Sequence, residues 1–138
     1  MQVFRTMARS LLAAVPAFMT ASAAMAGEVA RGSVYAITEL AWKGPKVTAV
    51  DQPTMTIDLS VRFLHESGAP SFTVAGFWDG DDVWRVRFTP TKPGKWTLAE
   101  VKSTRPMSGP AAGDTISATA SGKPGFWSPG STAGRRWY

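Results

Sequence analysis

The sequence predicts an all-β chain, an antiparallel β-sandwich or barrel, that follows a cleaved signal peptide. Three observations carry this. Residues 53–64, "PTMTIDLSVRFL", alternate apolar and polar side chains. Short runs of β-branched and aromatic residues recur along the chain, each closed by a cluster of Gly, Pro or Asp. No stretch of helical periodicity separates them, so no parallel β–α–β unit fits.

Residues 1–26 stand apart from that pattern. Arg5 and Arg9 precede an apolar stretch from Leu11 to Ala24, and Ala24-Met25-Ala26 is a small-residue cleavage signal. Cleavage is expected after Ala26, which places the mature chain outside the cytoplasm, secreted or periplasmic. The apolar stretch falls short of the roughly 20 residues of a membrane span and is broken by Pro16 and Thr20. No membrane partner is therefore expected after cleavage. Removing this segment lowers the formal charge from +5 to +3, because it carries Arg5 and Arg9 and no acid. The remaining basic residues are spread singly and form no cluster of the kind that nucleic acid requires. The chain has no cysteine, so an exported domain must be held by burial alone. Six tryptophans and seven phenylalanines supply apolar surface for it.

The strands are expected in this order. Residues 34–42, "VYAITELAW", mix β-branched and aromatic side chains. In residues 53–64, Met55, Ile57, Leu59, Val61 and Phe63 fall on one face, and Thr56, Asp58, Ser60 and Arg62 on the other. Full burial of each apolar side chain stabilises by about 1.5–3 kcal/mol, and a slip of one residue would expose them all. Residues 71–78, "SFTVAGFW", read as one compact apolar strand. In residues 83–88, "VWRVRF", Trp84, Val86 and Phe88 face the core while Arg85 and Arg87 share the outer face, where Glu100, Asp58 or a following domain would meet them. Residues 95–101 put Trp96 and Leu98 inside, and residues 115–120 form a weaker last strand. The sandwich domain is assigned to residues 27–120. Residues 121–138, rich in Gly, Pro and Ser, read as a linker or the start of a following domain.

Chemistry-bearing residues are few. Asp79, Asp81 and Asp82 crowd one turn, "DGDD", between two strands. The Asp79-Gly80 pair reads as a solvated hairpin turn, because Gly accepts positive φ. A calcium site is the alternative, although the spacing departs from the calcium-loop ladder. Neighbouring acids on one turn do not face each other across a sugar as glycosidase carboxyls must. His65 is the one histidine and sits where a strand enters a Gly-Pro turn, so it reads as a solvated loop residue. With one histidine and no cysteine a zinc site is not expected, and no cofactor motif occurs. Trp84 and Trp96 read as core. Trp42, Trp78 and Trp127 are the candidates for stacking on a sugar face; otherwise they seal the sandwich ends or meet a neighbouring domain.

The segments around Tyr35…Glu39, Phe63 with Ser67-Gly68, Gly76-Phe77-Trp78-Asp79-Gly80, Trp84-Arg85-Val86-Arg87-Phe88, Pro90 and Pro93-Gly94-Lys95-Trp96 follow one another over residues 33–102. Their order and spacing resemble domain of unknown function 5060, an N-terminal immunoglobulin- or fibronectin-like antiparallel β-sandwich of secreted bacterial glycoside hydrolases. The resemblance implies a non-catalytic accessory module, with a catalytic (β/α)8 barrel as its partner and a polysaccharide as the material acted on. The catalytic acids would belong to the barrel, so no functional residue transfers. Arg135-Arg136-Trp137-Tyr138 would then begin the segment that leads into the barrel. A carbohydrate-binding module that acts alone is the second expectation, and a small independent enzyme the third.

Overall fold

The computed structural model of the chain describes residues 26–122 and 125. The expected leader, the candidate Trp127 and the terminus at Arg135 to Tyr138 lie outside the described residues, apart from Ala26 itself.

Among the described residues, eight strands form two stacked sheets: β1 (Glu28–Ser33), β2 (Thr38–Lys43), β3 (Leu59–His65), β4 (Ser71–Ala75), β5 (Phe77–Gly80), β6 (Val83–Phe88), β7 (Gly94–Ser103) and β8 (Thr115–Thr119). The larger sheet runs β1-β8-β7-β3-β4 and the smaller β2-β6-β5. All pairs are antiparallel except β1 with β8, which is parallel. The all-β sandwich expected from the alternation is thus the fold, with one parallel edge added to it.

Alternation builds the core from both sheets. Val61 and Phe63 on β3, Trp96 and Leu98 on β7, and Ile116 on β8 are fully buried. They face Leu40 and Trp42 on β2 and Trp84, Val86 and Phe88 on β6. Phe63 stacks on Phe88 with ring centroids 4.0 Å apart, and Trp96 meets Phe88 edge-on at 5.0 Å. These contacts join the two sheets with ring pairs of the favoured geometries. Opposite Arg62 and Phe63 of β3, β7 carries one extra residue: Arg62 pairs with Glu100 and Phe63 with Leu98. That bulge around Ala99 changes the phase of β7, so Val101 packs inward although Leu98 does too.

Four local expectations are corrected. Residues 34–42 are not one strand. Val34 and Tyr35 form a turn, with Tyr35 at φ 65°, because their amides bond to the carbonyls of Thr119 at the end of β8 and of Pro90 in the loop after β6. The strand in residues 53–64 begins only at Leu59. Pro53–Thr56 is a single helical turn, α1, and Met55 is 83% exposed. Pro53 suits the first helical position, and Asp51 accepts from the Thr48 backbone N–H and hydroxyl in the 3-10 turn just before it. Residues 71–78 divide at Gly76, β4 joining the large sheet and β5 the small one. Finally, β1 had no alternation to reveal it: "EVARGS" is an edge strand, half of it exposed and none of it fully buried.

Candidate functional site

The outer face of the small sheet gathers the charged residues singled out in the sequence. β5 and β6 form a hairpin, and the reversal lies at Asp81-Asp82, one step beyond Asp79-Gly80. Gly80 at φ 111° and Asp81 at φ 46° supply the positive-φ geometry. The Asp79 and Asp82 carboxylates turn to different cations. Asp79 accepts from Arg85 Nε at 2.5 Å, Asp82 lies 3.3 Å from Lys43 Nζ, and the Asp81 carbonyl accepts from Trp78 Nε1 at 3.2 Å. No group of three or more metal-ligating side chains occurs among the described residues.

Arg85 joins two acids, because its Nη1 also donates to Glu39 at 2.6 Å, and Arg87 Nε donates to the other Glu39 oxygen at 2.7 Å. This corrects the expected partners. Register sets them: Glu39 lies directly opposite Arg87 on the neighbouring strand. Glu100 sits across β3 and β7, within 3.9 Å of Arg62 and 3.0 Å of Lys102. The Arg87 hydrogen bond, with Arg85 adding to it, holds the Glu39 carboxyl below its ordinary range. Asp79 first and Glu39 second hold the Arg85 guanidinium more firmly protonated. The Arg87 guanidinium also lies 4.8 Å above the Phe77 ring. The result is a ladder of alternating charge, Asp79–Arg85–Glu39–Arg87, that satisfies itself. Each carboxylate in it is tied to a cation on the same face, so none faces another across a cleft.

The tryptophan candidates part company. Trp42 is 3% exposed and its Nε1 donates to the Pro110 carbonyl at 2.8 Å. The expectation of partial exposure at this strand end fails because residues 107–110 fold over it: Gly109 touches the indole, and Ser108 pairs with Lys43. Trp78 is half-buried on edge strand β5 and packs against the core. Trp84 and Trp96 are core residues, as the alternation required. His65 is 4% exposed, not solvated. Its Nδ1 accepts the Ser67 backbone N–H at 3.1 Å, its Nε2 lies 3.0 Å from the Pro93 carbonyl, and its ring meets Trp96 edge-on. Strand alternation continues one residue past Leu64, and that carries His65 inside.

One feature was missed. A groove of about 290 Å³ lies between β4 and the end of β6, lined by Phe72, Val74, Phe88 and the threonines Thr89 and Thr91. It exists because β5 begins at Phe77 and pairs with β6 only up to Arg85, which leaves Val86 to Phe88 without a neighbour on that side. A single strand over residues 71–78 would leave no room for this gap, and Phe72, which lines it, is 37% exposed.

The profile of a family described as domain of unknown function (DUF5060) matches residues 32–102. The chain belongs to the DUF5060 family. The matched segment runs from the end of β1 almost to the end of β7 and contains the charged ladder, His65 and both described tryptophan candidates. Among solved structures, a candidate glycoside hydrolase from Bacteroides vulgatus is similar at 26% identity and a TM-score of 0.48, over 67% of this chain and 17% of that one. This DUF5060 chain therefore spans well under a third of that neighbour. A search of curated proteins returns no match.

Proposed function

We propose that this DUF5060 sandwich is a non-catalytic accessory module of a secreted, polysaccharide-degrading glycoside hydrolase, and that it packs against the catalytic barrel. One observation carries the reading. Residues within the matched segment build a core and a self-satisfied charged face: Phe63, Trp84, Val86, Phe88 and Trp96 are buried, and Glu39, Asp79, Arg85 and Arg87 neutralise one another. Glycoside hydrolysis needs two carboxyl groups that flank a bond. The carboxylates of the ladder are instead committed to strand-to-strand pairing. Purified residues 27–138 are expected to release no reducing sugar from a panel of polysaccharides. Hydrolysis that survives repurification would overturn the reading.

A second reading, a carbohydrate-binding module, is favoured by Trp78 alone, because it keeps part of its ring at the surface of an edge strand. Retention on an insoluble polysaccharide that Trp78→Ala abolishes without loss of fold would support it. Trp42→Ala is no test of binding, since that ring is inside.

A further inference from the structure

Gly27, which would head the mature chain, is fixed at both ends. Its backbone N–H donates to Asp114 Oδ1 at 3.0 Å, and its carbonyl accepts from the Thr115 N–H at 2.9 Å. Asp114 closes the loop between β7 and β8, where its other oxygen accepts the Ala111 N–H at 2.8 Å. Ala26 and Gly27 are both exposed. We propose that the Ala26–Gly27 bond is a processing site, and that Asp114 is the receptor for the amine which processing creates. The inference rests on the signal-peptide reading of residues 1–26.

The chemistry is a hydrolysis by a signal peptidase. Water adds across the Ala26–Gly27 amide, the C–N bond breaks, Ala26 leaves as a carboxylate, and the Gly27 nitrogen takes up a proton. A neutral N–H donor thus becomes an ammonium 3.0 Å from a carboxylate oxygen that is already in place. Charge-assisted hydrogen bonds are roughly twice as strong as neutral ones. Backbone donation from Ala111 first, then from Gly27, already keeps the Asp114 carboxyl below its ordinary range, so it is ionised when the amine arrives. Other charges near this corner are accounted for. On β1, Glu28 is engaged by Arg31 and by the Ser117 hydroxyl, Lys95 on β7 acts on Glu28 more weakly, and β8 carries no charged residue. Arg105 is the remaining charge of the β7–β8 loop, and it lines a different hollow, with Lys46 and Asp51.

The sign follows from the pair. An amine stabilised as ammonium has a folded pKa above the roughly 7.7–8.0 of a free terminus. Its contribution is complete below that range and is lost as pH rises through the folded value. Two chains test this, one beginning at Gly27 and one at Met25. In the Gly27 chain an NMR titration of the terminal amine is expected to show a pKa raised by about half a unit. Asp114→Asn should return it to the ordinary value while keeping an acceptor oxygen for one of the two N–H groups. The Gly27 chain should also melt higher than the Met25 chain at pH 7, with the gap closing by about pH 9.5. An amine that titrates normally, or an unchanged gap in the Asn variant, would overturn the receptor role. A mass for the exported protein that places the cut elsewhere would overturn the processing site alone, and the two failures are separable.

Discussion

At the scale of single residues, burial decides which side chains are free to act. Trp42 and Trp78 looked alike in the sequence, each at a strand end. Only the segment 107–110 distinguishes them, and its approach to β2 leaves no local pattern in the sequence. Trp42→Ala is expected to cost about 3–5 kcal/mol, whereas Trp78→Ala should cost roughly half of that, measured by urea denaturation. Thr38 offers the opposite case. It is 5% exposed and its hydroxyl has no hydrogen-bond partner among the described residues. Removing an unsatisfied buried hydroxyl while keeping the shape relieves its desolvation cost. Thr38→Val is therefore expected to leave stability unchanged or raise it by about 1 kcal/mol, and a loss beyond that would reveal an unrecognised partner. His65 shows why a single titratable residue is easy to misplace. Its fate depended on whether β3 stopped at Leu64 or ran one position further.

At the scale of elements, β6 could be read to the residue, because strict alternation and bracketing turns agree on its boundaries, and the weaker segment 115–120 differs from β8 by one residue. β3 itself was legible from the same alternation. The segment before it, residues 53–58, was not, since Met55 continues the alternation by chance while Pro53 and Asp51 favour a helical turn. β1 offers nothing to read, because an exposed edge strand has no reason to alternate. The passage from β4 to β5 turns on Gly76, whose N–H donates to the Leu59 carbonyl at 2.7 Å. A Cβ there would lie 2.7 Å from Leu59 Cδ2. Gly76→Ala is expected to destabilise by about 1–3 kcal/mol through overpacking. The additional substitution Leu59→Ala should recover part of that loss, and calorimetry of the two variants would show whether it does. The charged ladder was half legible: the face shared by Arg85 and Arg87 follows from period two, but the partner Glu39 follows only from the pairing of β2 with β6.

At the scale of the whole molecule, acid is the expected weakness. Glu39 is held below its ordinary range by Arg87 and Arg85, and Asp114 by the Ala111 and Gly27 amides. A depressed carboxylate contributes stability that is complete above its unfolded pKa, roughly 3.9–4.3, and is lost as pH falls through the folded value. The melting temperature is expected to hold steady from pH 7 to about 5 and to drop below about pH 4. Asp114→Asn should flatten part of that drop, and an identical profile in the variant would refute the assignment. The parallel pairing of Glu28–Ser33 with Thr115–Thr119 has a further bearing on how the protein is made. The earliest strand to leave the ribosome finds its neighbour only when nearly the whole polypeptide has been delivered, and contacts so distant in sequence form late. Until then β1 is left without the neighbour that satisfies its backbone hydrogen-bonding groups.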